Sequence, residues 1–126
     1  FVGGGNHNII TGSSFNSVIG SGAHNTISQS SDFSSIVGGM SCSIHEDSDL
    51  SFIGGGKANE IMSSSYQSSI VGGLTNRIAF GFGSAIVSGE SNLIIGNDAG
   101  HNSINVSRTV NSFNAFQSFI GAKRCG

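Results

Sequence analysis

The chain repeats a short pattern about every 16 to 18 residues, and each repeat carries two adjacent apolar residues followed by Gly or Ser. Self-similarity at a short period is typical of a solenoid, in which each repeat forms one coil that stacks on the next. The apolar pairs are Phe1-Val2, Val18-Ile19, Ile36-Val37, Phe52-Ile53, Ile70-Val71, Ile86-Val87 and Phe119-Ile120. We therefore predict an all-β fold, a parallel β-solenoid (β-roll or β-helix) of about seven coils of 16–18 residues.

Each repeat also contains a second strand signal, which usually reads Asn-x-Ile, as in Asn25-Thr26-Ile27 and Asn59-Glu60-Ile61. The residue between Asn and Ile is polar in most copies, and side chains alternate between the two faces of a strand. This strand is therefore predicted to have one buried face and one solvated face.

The strand that carries the apolar pairs differs, because both members of each pair are apolar in almost every copy. We expect one member to fill the interior and the other to be covered by another copy of the chain, since it would otherwise form an exposed apolar stripe. The sequence does not say which member is which. It predicts a homo-oligomer that associates along the rod axis. The predicted core and oligomer stripe consists of Val18, Ile19, Ile36, Val37, Phe52, Ile53, Ile70, Val71, Ile86 and Val87.

Three further recurring positions are predicted to form the turns. Runs of glycine, such as Gly54-Gly55-Gly56, suit corners that need a positive φ. The recurring Asn suits the next corner, where its side chain can hydrogen-bond from coil to coil. A third column is mostly aromatic and comprises Phe15, Phe33, Leu50, Tyr66 and Phe82.

The repeat is irregular between residues 97 and 117. Ser103-Ile104 can start the missing strand, with Val110 in its second strand; a competing register uses Ile95-Gly96 followed by Asn102-Ser103-Ile104. We favour the first because it restores the spacing. An irregular coil can bind a ligand, so we predict at most a weak anion or glycan contact by Asn102, Arg108 and Asn111. The whole chain, 1–126, is interpreted as one solenoid domain cut from a longer array.

Composition argues against several classes of protein. Lys and Arg number five and the net charge is −2, too little positive charge for a nucleic-acid partner. No apolar run approaches the roughly 18 residues of a membrane span, so no membrane insertion is expected. Cys42 and Cys125 lie about five coils, or roughly 24 Å, apart, whereas a disulfide needs Cα atoms within about 7 Å. Both are predicted to be free thiols.

The sequence offers few groups for chemistry. His7 and His24 occupy equivalent places and should stack, but Cys42, Ala58 and Thr75 are predicted to continue their column without a carboxylate. The acidic segment 45–49 lacks the Asp-rich repeat of calcium β-rolls and is interpreted as a solvated turn. We therefore expect no metal, no cofactor and no catalytic residue, and the protein is not expected to be an enzyme.

Two segments carry a resemblance to known repeats: Asn16-Ser17-Val18-Ile19-Gly20 and Gly54-Gly55-Gly56-Lys57-Ala58-Asn59-Glu60-Ile61. They resemble the head repeats of trimeric autotransporter adhesins (the YadA-like head) and the Gly-Gly-Gly-x-x-Asn-Thr repeats in fibres of tailed phages and large viruses. The likeness covers nearly the whole chain. The repeats here are longer than those of the adhesin head, and the apolar residues are contiguous rather than Val-x-Ile, so the viral fibres are the better match.

The resemblance implies a β-solenoid that trimerises into a stiff extracellular fibre or adhesin. The expected function is a structural segment of a trimeric viral or phage fibre, or of a surface adhesin, that serves host attachment on a virion or cell surface. The alternative is a glycan-binding solenoid module of a bacterial trimeric autotransporter-type adhesin. The expected partners are further copies of the chain and a host-surface glycan or receptor.

Overall fold

The structure is a computed structural model that describes residues 1–96 with their side chains and the backbone of three later strands. All regular structure among these residues is β, with no helix. The strands are β1 (Ile9–Ile10), β2 (Val18–Ile19), β3 (Thr26–Ile27), β4 (Ser35–Ile36), β5 (Ser43–Ile44), β6 (Phe52–Ile53), β7 (Glu60–Met62), β8 (Ser69–Ile70), β9 (Arg77–Ala79), β10 (Ala85–Ile86), β11 (Asn92–Ile95), β12 (Ser103–Asn105), β13 (Asn111–Asn114) and β14 (Ser118–Ile120).

The strands form two parallel sheets that confirm the predicted solenoid. The odd-numbered strands follow the order β1-β3-β5-β7-β9-β11-β13, and the even-numbered strands the order β14-β12-β10-β8-β6-β4-β2. Each strand pairs with the strand two positions later, so successive coils stack with their equivalent residues in register. The repeat from β1 to β7 is 17 residues, as in the hydrogen bond from Asn25 to Asn8.

The core is a double column of isoleucines that face each other from the two sheets. Their side chains are fully buried and belong to one cluster: Ile19, Ile36, Ile53, Ile70 and Ile86 from the even sheet, and Ile27, Ile44, Ile61, Ile78 and Ile94 from the odd sheet. Hydrophobic burial of roughly 1.5–3 kcal/mol per side chain makes this column the main apolar contribution to stability. The prediction of one buried and one solvated face is confirmed for the odd sheet, where Thr26, Ser43 and Glu60 lie outside.

The register corrects the alignment of the apolar pairs. Val18 pairs with Ser35 and Ile19 with Ile36, so the buried isoleucine is the second member of some pairs and the first of others. The remaining apolar residue stands before the isoleucine at Val18 and Phe52 and after it at Val37, Val71 and Val87. Both neighbours of an inward residue point outward, so the apolar residue beside the core isoleucine does not enter the core.

A ladder of buried asparagines connects the coils at one corner, as predicted. Asn59 is fully buried, and its Nδ2 donates to the carbonyl oxygens of Gly55 (2.8 Å) and Gly73 (3.0 Å). Its Oδ1 accepts from the backbone amide of Asn76 (3.0 Å). Equivalent bonds are made by Asn8, Asn25 and Asn76. The ladder satisfies the polar side chain without water, which the buried position requires.

Two ladders of buried serines perform the same task at the opposite corner. The hydroxyl of Ser34 donates to the carbonyl of Ser48 (3.0 Å) and accepts from the amide of Ser51 (3.1 Å) in the next coil. The first ladder contains Ser17, Ser34, Ser51, Ser68 and Ser84, and the second contains Ser14, Ser31, Ser48 and Ser65. The serines of the two ladders therefore connect neighbouring coils and do not form a flexible linker.

The corner before the Asn ladder requires glycine, as predicted for positive φ. Gly56 has φ +90°, and a Cβ built there would lie 2.2 Å from the backbone oxygen of Gly73 in the next coil. Its neighbour Gly55 has open space around the same position. The close approach of two backbones, and not the turn alone, explains why a side chain cannot be placed at this corner.

We expect Gly56→Ala to destabilise the chain by about 2 kcal/mol, because the methyl group forces the coils apart and must adopt a left-handed conformation. Gly55→Ala is the matched control and should change the free energy of unfolding by less than about 0.5 kcal/mol. Urea denaturation followed by circular dichroism measures both. Equal losses for the two variants would contradict the close-approach argument.

The irregular segment 97–117 includes two of the late strands. β12 (Ser103–Asn105) pairs with β10, which agrees with Ser103-Ile104 as the start of the missing strand. The register places Asn105, not Ile104, opposite Ile86. The second strand is β13, which pairs with β11 and begins one residue after the predicted Val110; Val110 itself lies outside the described residues.

Candidate functional site

The outward face of the even sheet carries one bulky apolar residue in every coil up to residue 87. We call this set the face stripe, and it consists of Phe1, Val18, Val37, Phe52, Val71 and Val87. In some coils the bulky residue comes before the core isoleucine and Gly comes after the isoleucine, as in Val18-Ile19-Gly20. In the others the bulky residue comes after the isoleucine, and Ser or Ala comes before it, as in Ser69-Ile70-Val71. All members of the face stripe are exposed in the single chain, between 36 and 80%. The stripe therefore follows the rod in a zigzag, on either side of the column of core isoleucines.

A second apolar stripe runs along the turn that enters the even sheet. We call it the corner stripe, and it consists of Phe15, Phe33, Leu50, Tyr66 and Phe82. The prediction of a single column here is wrong, because the backbone bonds align Phe33 with Asn16, and Leu50 with Phe33. The stripe instead alternates between two adjacent turn positions, again with one bulky residue in each coil.

Two members of the corner stripe occupy an unfavourable backbone conformation. Phe33 has φ 52° and Leu50 has φ 56°, in the left-handed region, where a bulky residue costs about 1–2 kcal/mol. Other coils place Asn16 and Gly83 at the same position, and both residue types tolerate it. Phe33 and Leu50 are nevertheless 60% and 54% exposed, so burial in the single chain does not offset this strain.

The outward face of the odd sheet is mostly polar in its middle coils and carries a chain of charged groups there. Nε2 of His45 lies 2.8 Å from Oε1 of Glu60, and Nε of Arg77 lies 2.9 Å from Oε2 of the same carboxylate. The hydrogen bond from His45 lowers the pKa of Glu60 most, and the charge of Arg77 lowers it further, while partial burial acts in the opposite direction. These contacts tie three consecutive coils together across β5, β7 and β9.

The lowered pKa predicts how stability depends on pH. A carboxylate with a folded pKa below its unfolded value contributes stability that is present above the unfolded pKa and is lost as the pH falls through the folded pKa. We expect the free energy of unfolding of wild type to exceed that of Glu60→Gln by up to about 1 kcal/mol above pH 5, and the difference to shrink as the pH falls through the lowered pKa of Glu60. Thermal denaturation at a series of pH values measures it.

Glu90→Gln is the control for this prediction, because Glu90 is exposed. It removes a carboxylate of the same type from the surface, so a change that Glu60→Gln shows and Glu90→Gln does not show belongs to the contacts of Glu60. A Glu60→Gln difference that is the same at pH 3 and pH 7 would show that the loss comes from altered packing, not from the charge.

His7 and His24 stack as predicted, with ring centroids 5.0 Å apart and ring planes 5° from parallel. The predicted continuation through Cys42 is wrong: the column runs on through Ser41, because the amide of Ser41 bonds the carbonyl of Ala23 just as that of His24 bonds Asn6. Cys42 lies one residue further on, in the Asn ladder, where it is buried. Within the part of the chain with described side chains, no group of three or more His, Cys, Asp or Glu converges.

The acidic segment 45–49 lies at the odd-to-even corner, and its carboxylates have protein partners. Oδ1 of Asp49 accepts from the amide of Asp32 (2.7 Å), and Oε2 of Glu46 accepts from the hydroxyl of Ser63 (2.7 Å). Asp32 in turn accepts from the amide of Phe15 (2.6 Å). These carboxylates link neighbouring coils. The segment forms a turn, as predicted, but of its acidic residues only Asp47 is exposed, whereas Glu46 and Asp49 are half-buried.

Cys42 is a free, buried thiol. Burial raises its pKa, although the backbone amide of Asn59 acts in the opposite direction. Cys125, Asn102 and Arg108 lie outside the described residues, and so does the side chain of Asn111, which begins β13. The predicted weak ligand contact therefore stays a prediction.

No family model, curated protein or solved structure matches this chain. Among the described residues, there is no helix of the length and apolarity that a membrane span needs.

Proposed function

We propose that this chain is a structural segment of a trimeric fibre or surface adhesin, of the viral or phage type, that serves host attachment outside the cell. The observation that carries the proposal is the face stripe, an apolar surface parallel to the stack of coils. Monomeric proteins rarely expose an apolar patch of more than a few hundred square ångströms. If other copies of the same chain cover the face stripe, its residues are buried in the assembly. This burial explains why they are apolar although they do not enter the core of the single chain.

The geometry of the repeat favours copies that run parallel and in register. Each coil from Val18 to Val87 contributes one bulky residue to the face stripe. If the copies are related by a rotation axis parallel to the rod, the bulky residue of each coil lies level with its equivalents in the other copies. Five such coils make a long, narrow contact in which each layer adds a small increment of binding free energy. The number of copies, three, comes from the resemblance to trimeric fibres and adhesin heads.

The mechanical role follows from the ladders between coils. Backbone bonds, the Asn ladder and the Ser ladders connect each coil to the next, and local bending would break several of them together. A rod of this kind is a stiff spacer that transmits force along its length, and it needs no catalytic site for this role. In this proposal the chain binds no metal or cofactor and catalyses no reaction.

The experiment that tests the proposal is sedimentation velocity and light scattering on the whole chain at micromolar concentration. We expect an elongated species of three times the chain mass. A monodisperse monomer at about 100 μM would overturn the proposal. A glycan array run on the same sample distinguishes the alternative: saturable glycan binding by a monomer would favour the glycan-binding module.

A further inference from the structure

We infer that the corner stripe is the second half of the contact between copies, so that the corner stripe of one chain packs against the face stripe of the next. The occupant of the corner stripe is therefore a second copy of this chain. The inference rests on the proposed function and adds a surface to it that lies outside the predicted apolar pairs.

The strained backbone is the first observation that supports it. Phe33 and Leu50 are bulky, exposed and left-handed in φ, whereas Asn16 and Gly83 show that the turn can be built without strain. Exposure and strain are both unfavourable for the isolated chain. A contact that buries these side chains offsets both.

The position of the two stripes is the second observation. Phe15 lies three residues before Val18, and Phe82 five residues before Val87, so the stripes flank one edge of the rod at a distance of about 10–15 Å. In a closed ring of more than two identical chains, every contact joins two different patches. If the edge between the two stripes points towards the ring axis, each chain has one apolar patch on each side of that edge. Each chain then offers a separate surface to each of its two neighbours.

The apolar area is the third observation. At their exposed fractions, the members of the face stripe present roughly 400 Å², and those of the corner stripe about as much. In the ring each chain packs one stripe against each of its two neighbours. Both stripes together therefore cover about twice the apolar area per chain that the face stripe alone would cover.

The test uses the tolerance of asparagine for the left-handed conformation. Phe33→Asn with Leu50→Asn removes the apolar surface and relieves the strain, so the fold of each chain is kept. We expect the concentration at which the oligomer dissociates to rise by about 100-fold or more, measured by sedimentation equilibrium. The melting temperature at high dilution should stay equal to that of wild type or exceed it.

A matched control makes the same chemical change elsewhere. Ala58 and Thr75 are also left-handed, at the corner next to the Asn ladder, on the other side of the even sheet from the corner stripe. Ala58→Asn with Thr75→Asn should leave the dissociation concentration unchanged. If the control weakens assembly as much as the corner variant does, the effect is not specific and the inference fails.

The outcome for the face stripe separates this inference from the proposed function. If Val71→Asp dissociates the oligomer and the corner variant does not, the corner stripe is solvated and the inference is overturned, while the fibre remains. If both variants dissociate it and the control does not, two different patches form the contact. If wild type is a monomer, the proposed function fails first.

Discussion

Replacing Ile70 with Asp is expected to abolish the fold, whereas replacing its neighbour Val71 with Asp is expected to abolish assembly and leave the fold intact. Ile70 is fully buried between the two sheets, and an unpaired carboxylate there costs several kcal/mol, on the order of the whole stability of a small domain. Val71 points outward and is 52% exposed, so its carboxylate is solvated in the single chain but repels its equivalents in the oligomer.

Far-ultraviolet circular dichroism and sedimentation separate these two outcomes. Ile70→Asp should lose its β signal, and Val71→Asp should keep the signal and sediment as a monomer. Thr26→Asp, on the outward face of the odd sheet, is the control and should change neither property. Identical behaviour of the two neighbouring variants would show that the division into inward and outward residues is wrong.

Breaking the Asn ladder is the second change with a large expected effect. Asn59→Ala leaves the amide of Asn76 and the carbonyl of Gly55 without their side-chain partner, in a position that water does not reach. A buried polar group without a partner costs about 1–3 kcal/mol, so we expect a loss of about 3 kcal/mol. Urea denaturation at fixed protein concentration measures the change.

Asn8→Ala is the matched control, since Asn8 makes the equivalent bonds to Gly4, Gly22 and Asn25 in a coil where it is only half-buried. Water replaces the lost bonds there, and the loss should be about 1 kcal/mol. Cys42→Asn makes the opposite change, because it restores the ladder in the coil that lacks it. We expect it to stabilise the chain by about 1 kcal/mol. A destabilised Cys42→Asn would contradict the assignment of Cys42 to the ladder.

The residue types in each repeat were sufficient to predict the class of fold. Isoleucine, glycine and asparagine recur every 17 residues, and only coils of that length place equivalent residues on top of each other. Coils of another length would bring bulky residues such as Phe52 against the glycine corner. The role of Asn25 and Asn59 could be predicted for the same reason. An amide side chain that recurs at a turn has its own copies above and below it as partners.

The exact register could not be predicted from the pairs. Ile36-Val37 and Phe52-Ile53 look equivalent as sequence, yet the structure aligns Ile36 with Ile53 and leaves Val37 and Phe52 outside. Pattern matching treats two adjacent apolar residues as one unit, whereas packing selects the isoleucine that fits between the sheets. The same ambiguity merged Phe33 and Tyr66 into one column and placed Cys42 in line with the histidines.

The sequence by itself therefore determined the solenoid, because a local pattern of strands and turns that recurs at a fixed period has one way to satisfy its backbone and bury its isoleucines. The tertiary structure alone decided which apolar residues remain outside. That choice depends on the alignment of neighbouring coils, in which a shift of one residue exchanges the inner and outer faces of a strand. The face stripe and the strained corner at Phe33 and Leu50 exist only once the coils are stacked, and so do the surfaces offered to another copy of the chain.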